Sequence, residues 1–519
     1  MKHHLKRLLG VLALMTVHSI SADMSTVFGK SFYRQRSQGS NEARWMAGQA
    51  HHLYLPDLDC LNGSIAFIGE YGQTFRGKKI GEFLFFNGTD TMTFGPAKTT
   101  ITGMPDPAGA STDVFAQNFL LNPNFFGTVS AHPLVRNFIF DMNLYLGLDE
   151  LVCGLYFRVD VPFGWTSWDM GLEEIVTNTG SPGFPANTFG NPAVQPSPLN
   201  SIIEAWKGGV TDASLPHLRQ GLNFAKVDGK KSKAGVADLT FFLGYNFWRS
   251  DCSHLSVQLA LIAPTGNRPR GEFLFEPVFG NGHHVEFGAG LTAHYEMWNN
   301  GCDQSFGMYF EGNAYHVFYA RQHRTFDLKN NGIGSRYLLF KRFLNGTYQN
   351  EVVFGANILT LECKVQNDIH GDAALMFDYK HKSWTIDVGY NVWGISKDKI
   401  AITQDIPNGT YGLQGLTPTA PVPGAGNNTQ SLTMINGTFQ PPTADASSPV
   451  TITNDSIDPD SAANPGAYSN KFFTHFGYTW ENCDYLPFLG IGGEVEISGS
   501  NGRAFDQWGV WIKGGFTFI

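Results

Sequence analysis

Apolar and polar residues alternate with a period of two along much of this chain. In Ser383–Gly394 one set reads Trp384, Ile386, Val388, Tyr390, Val392, and the other Thr385, Asp387, Gly389, Asn391, Trp393. In Val285–Trp298 the apolar set is Val285, Phe287, Ala289, Leu291, Ala293, Tyr295, Met297, set against Glu286, Gly288, Gly290, Thr292, His294, Glu296, Trp298. His254–Ala263 sets Leu255, Val257, Leu259, Leu261 against His254, Ser256, Gln258, Ala260. Period two predicts β-strands whose two faces meet different surroundings. Several runs last ten to fourteen residues, whereas strands of soluble proteins average five or six. That length suits a tilted strand crossing a bilayer.

Fourteen segments carry the pattern, at 61–75, 79–86, 90–96, 136–147, 153–162, 236–248, 254–264, 284–298, 304–320, 367–379, 383–395, 470–481, 484–497 and 506–518. Every second connection is short: Asn87–Asp90, Leu148–Val152, Arg249–Ser253, Asn299–Asp303, Lys380–Lys382 and Glu481–Asp484. The others include all the long ones, 97–135, 163–235, 265–283, 321–366 and 396–469. This asymmetry predicts an all-β fold: a transmembrane antiparallel up-and-down β-barrel of about 14 strands (12–16), with short periplasmic turns and long outer loops. Tyr245/Trp248, Tyr295/Trp298 and Tyr478/Trp480 each close a strand entering a short turn. Tyr and Trp favour that interface, where the ring is half buried and its polar atom stays wet.

The first residues read as a targeting segment. Lys2, Lys6 and Arg7 precede an apolar Leu8–Val17, and Ser19, Ser21 and Ala22 follow, so residues 1–22 are expected to be a cleaved signal peptide. Residues 23–60 precede the barrel, 61–519. Within them Asn41–Gln49 is expected to form a short helix, acting as a periplasmic tether or a partial plug. Composition agrees with a large barrel: 59 Gly, 42 Phe, 18 Tyr and 11 Trp, but only 16% charged residues, against about 25% in soluble domains. A net charge of −9 argues against nucleic acid as a partner.

The closing strand Gln507–Ile519 places Trp508, Val510, Ile512, Phe516 and Phe518 on one face. With the barrel pattern, it resembles the Gram-negative outer-membrane porin superfamily, whose C-terminal strand is read by the barrel-assembly machinery. Members usually end on Phe; here Ile519 follows Phe518. The resemblance implies a bacterial outer-membrane, cell-surface location, contact with membrane lipid, a homo-oligomer (a trimer in porins), and a third outer loop that narrows the lumen. That loop, 163–235, holds a Ser- or Asn-capped helical segment at Pro198–Gly208, which either enters the lumen or forms an outer lid. The strand number also resembles the long-chain fatty-acid transporters. The cysteine-bearing barrel resembles the major outer-membrane proteins of chlamydia-like intracellular bacteria, in which disulfides link neighbours. Cys60, Cys153, Cys252, Cys302 and Cys483 fall at the predicted periplasmic rim as candidate disulfide formers, and Cys363 in an outer loop. The periplasm permits disulfides, and free thiols are the equal alternative.

Chemistry-bearing motifs are absent. No GxSxG, HExxH, P-loop or complete Rossmann fingerprint occurs, so no catalytic residue, cofactor or metal is expected. His283-His284 reads as a solvated pair, and Lys226, Lys230, Lys231 and Lys233 as a solvated loop. The 396–469 connection is polar and low in complexity, and is expected outside the cell. Reading the alternation strand by strand sends Glu70, Asp141, Asp160, Asp238, Glu286, Glu296, Glu311, Asp372, Asp378, Asp387, Glu494 and Glu496 inward, with Arg158, Lys380, Lys471 and Lys513. Twelve acids against four cations leave a lumen balance of −8, and acidic rings favour cations. The expectation is a water-filled, cation-preferring diffusion channel for small hydrophilic solutes. The alternatives are a structural or adhesive protein using the barrel to anchor its loops, and a transporter of hydrophobic compounds.

Overall fold

The computed structural model describes residues 28–54, 62–96, 113–181, 183–184, 197–209, 221–413, 451–481, 485–499 and 503–518. The expected signal peptide, Cys60, Cys483 and most of the low-complexity stretch (414–450) lie outside the described residues. No described helix is long and apolar enough to cross a membrane.

Twelve long strands form one closed antiparallel barrel. They are β1 (Asn62–Thr74), β2 (Leu134–Gly147), β3 (Leu155–Asp169), β4 (Leu239–Ser250), β5 (Ser253–Ala263), β6 (Glu286–Asn299), β7 (Gln304–Thr325), β8 (Thr360–His381), β9 (Trp384–Ile395), β10 (Ala467–Thr479), β11 (Leu486–Ser498) and β12 (Gln507–Phe518). Each pairs with the next in sequence, and β12 returns to β1 from Gly63↔Phe518 to Thr74↔Gln507. Closure leaves no membrane-level sheet edge with unpaired backbone groups.

Two of the fourteen expected strands are not in the barrel. Residues 79–84 instead belong to a helix, Gly77–Leu84, followed by Phe85 and Phe86 outside it, and its buried Ile80, Phe83 and Leu84 recur at i, i+3, i+4; the helical period prevails there over the short apolar run. Residues 90–96 give a strand, Thr91–Gly95, in a separate four-stranded sheet with Phe126–Ala131 and Leu172–Asn178. Asn87–Asp90 is therefore no periplasmic turn but part of a long connection, 75–133. Because two neighbouring strands drop out together, the up-and-down sense of all the others is preserved. The connections 148–154, 251–252, 300–303, 382–383 and 480–485 lie at one end, and 75–133, 170–238, 264–285, 326–359 and 396–466 at the other.

The long connections fold into a cap rather than loose loops. One apolar core gathers Phe85, Phe94, Phe119, Trp206, Tyr337 and Phe354, and a second gathers Phe326, Phe340, Leu361, Ile406, Leu413 and Ile457. Part of the 396–469 connection, polar as a whole, thus supplies buried apolar residues. The expected helix in 163–235 is Ile202–Lys207, capped by Ser201, whose side chain accepts from the Glu204 N–H. Its Trp206 packs on Phe85 and donates to the Tyr337 hydroxyl at 3.0 Å. This helix is a piece of the cap and does not narrow the lumen. Cys363 likewise is not in a loop: it lies buried in the outward extension of β8.

The barrel's outer face is apolar and open. Phe138, Leu259, Val388, Phe472, Ile491 and Ile512 are all at least half exposed, Ile491 at 61%. Two β-bulges complete the aromatic rim at the short-turn end. Register slips opposite Leu255/Ser256 and at Glu296/Trp298 turn Trp248 and Trp298 outward, where strict alternation would send both inward. The exposed Tyr245, Tyr295, Trp384 and Trp480 join them.

Candidate functional site

The lumen is occupied by the chain's own N-terminal segment. Residues 28–54 enter near the cap and run to the short-turn end. Near the cap, Lys30 N–H donates to the Phe83 carbonyl and Arg336 to the Gly29 carbonyl at 2.6 Å. At the far end, His51 meets Asp378 at 2.7 Å and His52 meets Thr517 at 2.8 Å. Midway the segment forms a single helical turn, α1 (Glu42–Met46), with Asn41 accepting from the Arg44 N–H. The described part of residues 23–60, 28–54, thus lies inside the barrel as a plug-like segment.

The acidic wall explains why this segment stays. Arg36 reaches Asp372 at 2.6 Å and Glu496 at 3.3 Å. Arg44 bridges Glu70 at 2.5 Å and Asp141 at 3.0 Å. Arg34 pairs with Asp398 on the outer side. Trp45 Nε1 donates to Glu311 at 3.0 Å, and the Gly48 N–H to Asp387 at 2.6 Å. From the wall, Arg158 binds Asp160 at 2.8 Å and Glu311 at 2.7 Å, with Glu42 of the segment at 3.6 Å. Lys513 Nζ donates to the carbonyls of Arg44 at 3.0 Å, and of Trp45 and Ala47 at 2.7 Å each. Charges this deeply buried persist only where they are paired, and removing one partner typically costs about 3–5 kcal/mol.

Most of the alternation-derived residues are packed against protein. Glu70, Asp141, Arg158, Asp160, Asp238, Glu286, Glu311, Asp372, Asp378, Asp387, Glu494, Glu496, Lys471 and Lys513 are all buried. Asp238 accepts from Ser37 at 2.7 Å, Glu286 contacts His370 at 2.6 Å, and Glu494 takes Lys471 at 2.6 Å. Glu296 and Lys380 sit apart, half-buried at the short-turn rim, with Asn299 and Glu481 as partners. Cys153, Cys252 and Cys302 are exposed free thiols at that rim.

Sequence reasoning had named no functional residue in the plug. The signal available was charge complementarity: Arg34, Arg36 and Arg44 cluster just before a barrel whose inward faces are acidic. The inward glycines serve side-chain packing. Gly389, Gly492 and Gly244 stand directly opposite Phe473, Trp511 and Tyr156 on the adjacent strand, and a Cβ on any of them would overlap the facing ring. These glycines make room for lumen aromatics that pack around the plug.

A closed barrel with an exposed apolar belt, an aromatic rim and charges confined to its interior is stable only in a bilayer. The chain is a membrane-spanning β-barrel. No known protein family and no curated protein matches it. Among solved structures it is similar to an outer-membrane channel from Pseudomonas putida F1, at 12% identity and a TM-score of 0.35, over 90% of this chain and 98% of that one. It is similar to a Pseudomonas aeruginosa FadL homologue at 8% identity and a TM-score of 0.25, over 88% and 90%. It is also similar to the Pseudomonas putida toluene transporter TodX at 10% identity and a TM-score of 0.24, over 95% of each chain.

Proposed function

We propose that this protein is an outer-membrane diffusion channel for small hydrophilic solutes, closed in this conformation by residues 28–54, and that its open form prefers cations. The observation that carries the reading is a lumen wall rich in buried, paired charge, which holds the segment through ion pairs to Arg36 and Arg44 beside an apolar cluster around Trp45 and Met46. A lumen built only to anchor surface loops gains nothing from buried charge, since well-packed apolar residues are at least as stabilising.

Planar-bilayer recording tests it. The wild-type chain should show brief or rare openings, and the Arg36→Gln/Arg44→Gln double variant long ohmic ones. Silence from both, with the barrel correctly folded, sinks the channel reading and leaves the anchor. One observation favours passage of hydrophobic compounds instead: the cap is cored by aromatic rings such as Phe94, Phe119, Trp206 and Tyr337. Liposome swelling with sugars and amino acids, set beside uptake of a small aromatic hydrocarbon, separates the two.

A further inference from the structure

The segment in the lumen is fastened differently at its two ends and in its middle. At the cap, Tyr33 stacks on Phe505 with ring centroids 4.8 Å apart and meets Phe83 edge-on at 5.2 Å. Phe32 covers the Arg324 guanidinium at 3.2 Å. At the short-turn end, His52 lies against Phe488 at 4.3 Å, and Tyr54 against His254 at 4.1 Å and the edges of Tyr145 and Tyr156. Ring contacts of this kind add to what burial alone contributes. The middle, which holds α1, is less complete. Two small voids flank it, about 40 Å³ beside Asn41 and Arg44 and about 30 Å³ beside Trp45 and Gln49. Arg44 Nε and Gln49 Oε1 are buried without a hydrogen-bond partner, as is the second oxygen of Asp141. Buried groups left unpaired destabilise the segment that carries them. A single helical turn is also far below the length at which a helix sustains itself. It stands here because Asn41 caps it and Lys513 donates to the carbonyls of Arg44, Trp45 and Ala47.

We propose that the lumen opens by the unwinding of α1 while both ends of the segment stay seated, so that residues 28–54 act as a strap rather than a stopper that leaves. The proposal rests on the reading of this protein as a channel closed by this segment. Unwinding supplies the slack. Five residues lengthen from about 1.5 Å each in a helix to about 3.3 Å each when extended, a gain of about 9 Å. The strap then bows against one wall with neither end released. Gly48 already carries the bend that follows α1, at a φ of +72° that glycine adopts without strain. Arg44 leaves Glu70 and Asp141 as the turn swings, whereas Tyr33 and Tyr54 keep their rings in place. Exit of the whole segment instead draws Tyr33 out of the cap's apolar core, a larger loss than one turn of helix.

Hydrogen exchange of the full-length chain in lipid nanodiscs tests this, with bilayer recording of the same preparations. In the Arg36→Gln/Arg44→Gln variant, amides of residues 41–49 should exchange roughly tenfold faster, corrected for intrinsic rates, than those of 29–35 and 51–54. One common rate across 28–54 overturns the proposal. A covalent staple at the cap gives a second reading. A Cβ built on Gly29 lies 3.5 Å from the Ile333 Cβ, within the span of a disulfide. Gly29→Cys/Ile333→Cys, added to that variant and oxidised with copper phenanthroline, should open as often before dithiothreitol as after it. Silence that dithiothreitol relieves means that the whole segment leaves through the cap, and overturns the proposal. Absence of current in every variant, oxidised or reduced, removes the channel, and the exchange pattern then still decides whether α1 unwinds alone.

Discussion

The Arg158 guanidinium, projecting inward from β3, lies over the indole of Trp45 with its central carbon 3.5 Å from the ring centroid, and Phe242 covers its other face at 4.2 Å. A wall cation is thus clasped between a wall ring and a plug ring. The same indole donates to Glu311, so Trp45 is held both by its face and by its edge. Trp45→Ala removes both contacts at a combined loss of roughly 2 kcal/mol. The expected outcome is a rise of about thirtyfold in the open-to-closed ratio in single-channel records. An unchanged ratio would show that the ion pairs alone hold the plug.

Lys513 tests the other end of α1. Its ammonium satisfies three carbonyls that a single-turn helix leaves without partners. Lys513→Met should raise amide exchange across residues 44–49 while leaving heat-modifiable mobility on gels, the mark of an intact barrel, unchanged. Loss of that mobility shift would mean the lysine serves barrel closure rather than the plug.

Outward and inward substitutions should fail in different ways. Val388 and Leu291 face lipid, and an arginine at either should cost about 2–4 kcal/mol and impair assembly. Asp387 is fully buried and holds the Gly48 N–H, and Thr292 is 2% exposed, so Asp387→Arg should instead assemble and conduct constitutively. Equal assembly defects at Val388 and Asp387 would contradict the separation of the two faces.

Ion selectivity should depend on the plug. The wall alone carries the balance of −8, but Arg34, Arg36 and Arg44 neutralise part of it when the segment is seated. Reversal potentials in a KCl gradient should show cation preference in the Arg36→Gln/Arg44→Gln variant, weakening as ionic strength rises. Anion preference at low salt would place control of the pore in the lysine-bearing outer connections.

The cap should respond to alkali. Burial lowers the Lys341 ammonium to about 8 from 10.5. Between those values the unfolded strand binds a proton that the folded one does not, so local stability rises with pH across that window. Below about pH 8 the buried charge opposes folding. Exchange in Leu339–Leu344, corrected for intrinsic rates, should slow from pH 8 to 10, and Lys341→Met should abolish the trend.

Much of this was legible from particular residues. The runs around Val388 and Leu291 and the alternation of short and long connections predicted the barrel, its handling of charge and the end bearing the cap. The 79–86 segment misled because eight residues with Ile80, Phe83 and Leu84 satisfy a helical period as well as a short apolar strand, and only packing into the cap decides between them. The outward turn of Trp248 and Trp298 depends on bulges, which are properties of a strand pair rather than of either strand.

By itself the sequence determined which side chains face lipid and which face inward, because a period of two is set within each strand and needs no knowledge of its neighbours. What fills the inside was decided only by tertiary structure. Arg36 and Glu496 stand 460 residues apart, as remote as Lys513 and the α1 carbonyls, and no local pattern links such pairs. Burial supplies the reason they meet. An acidic lumen closed off from water must be neutralised by whatever cations the chain can thread into it, and those nearest the first strand are the arginines of residues 34–44.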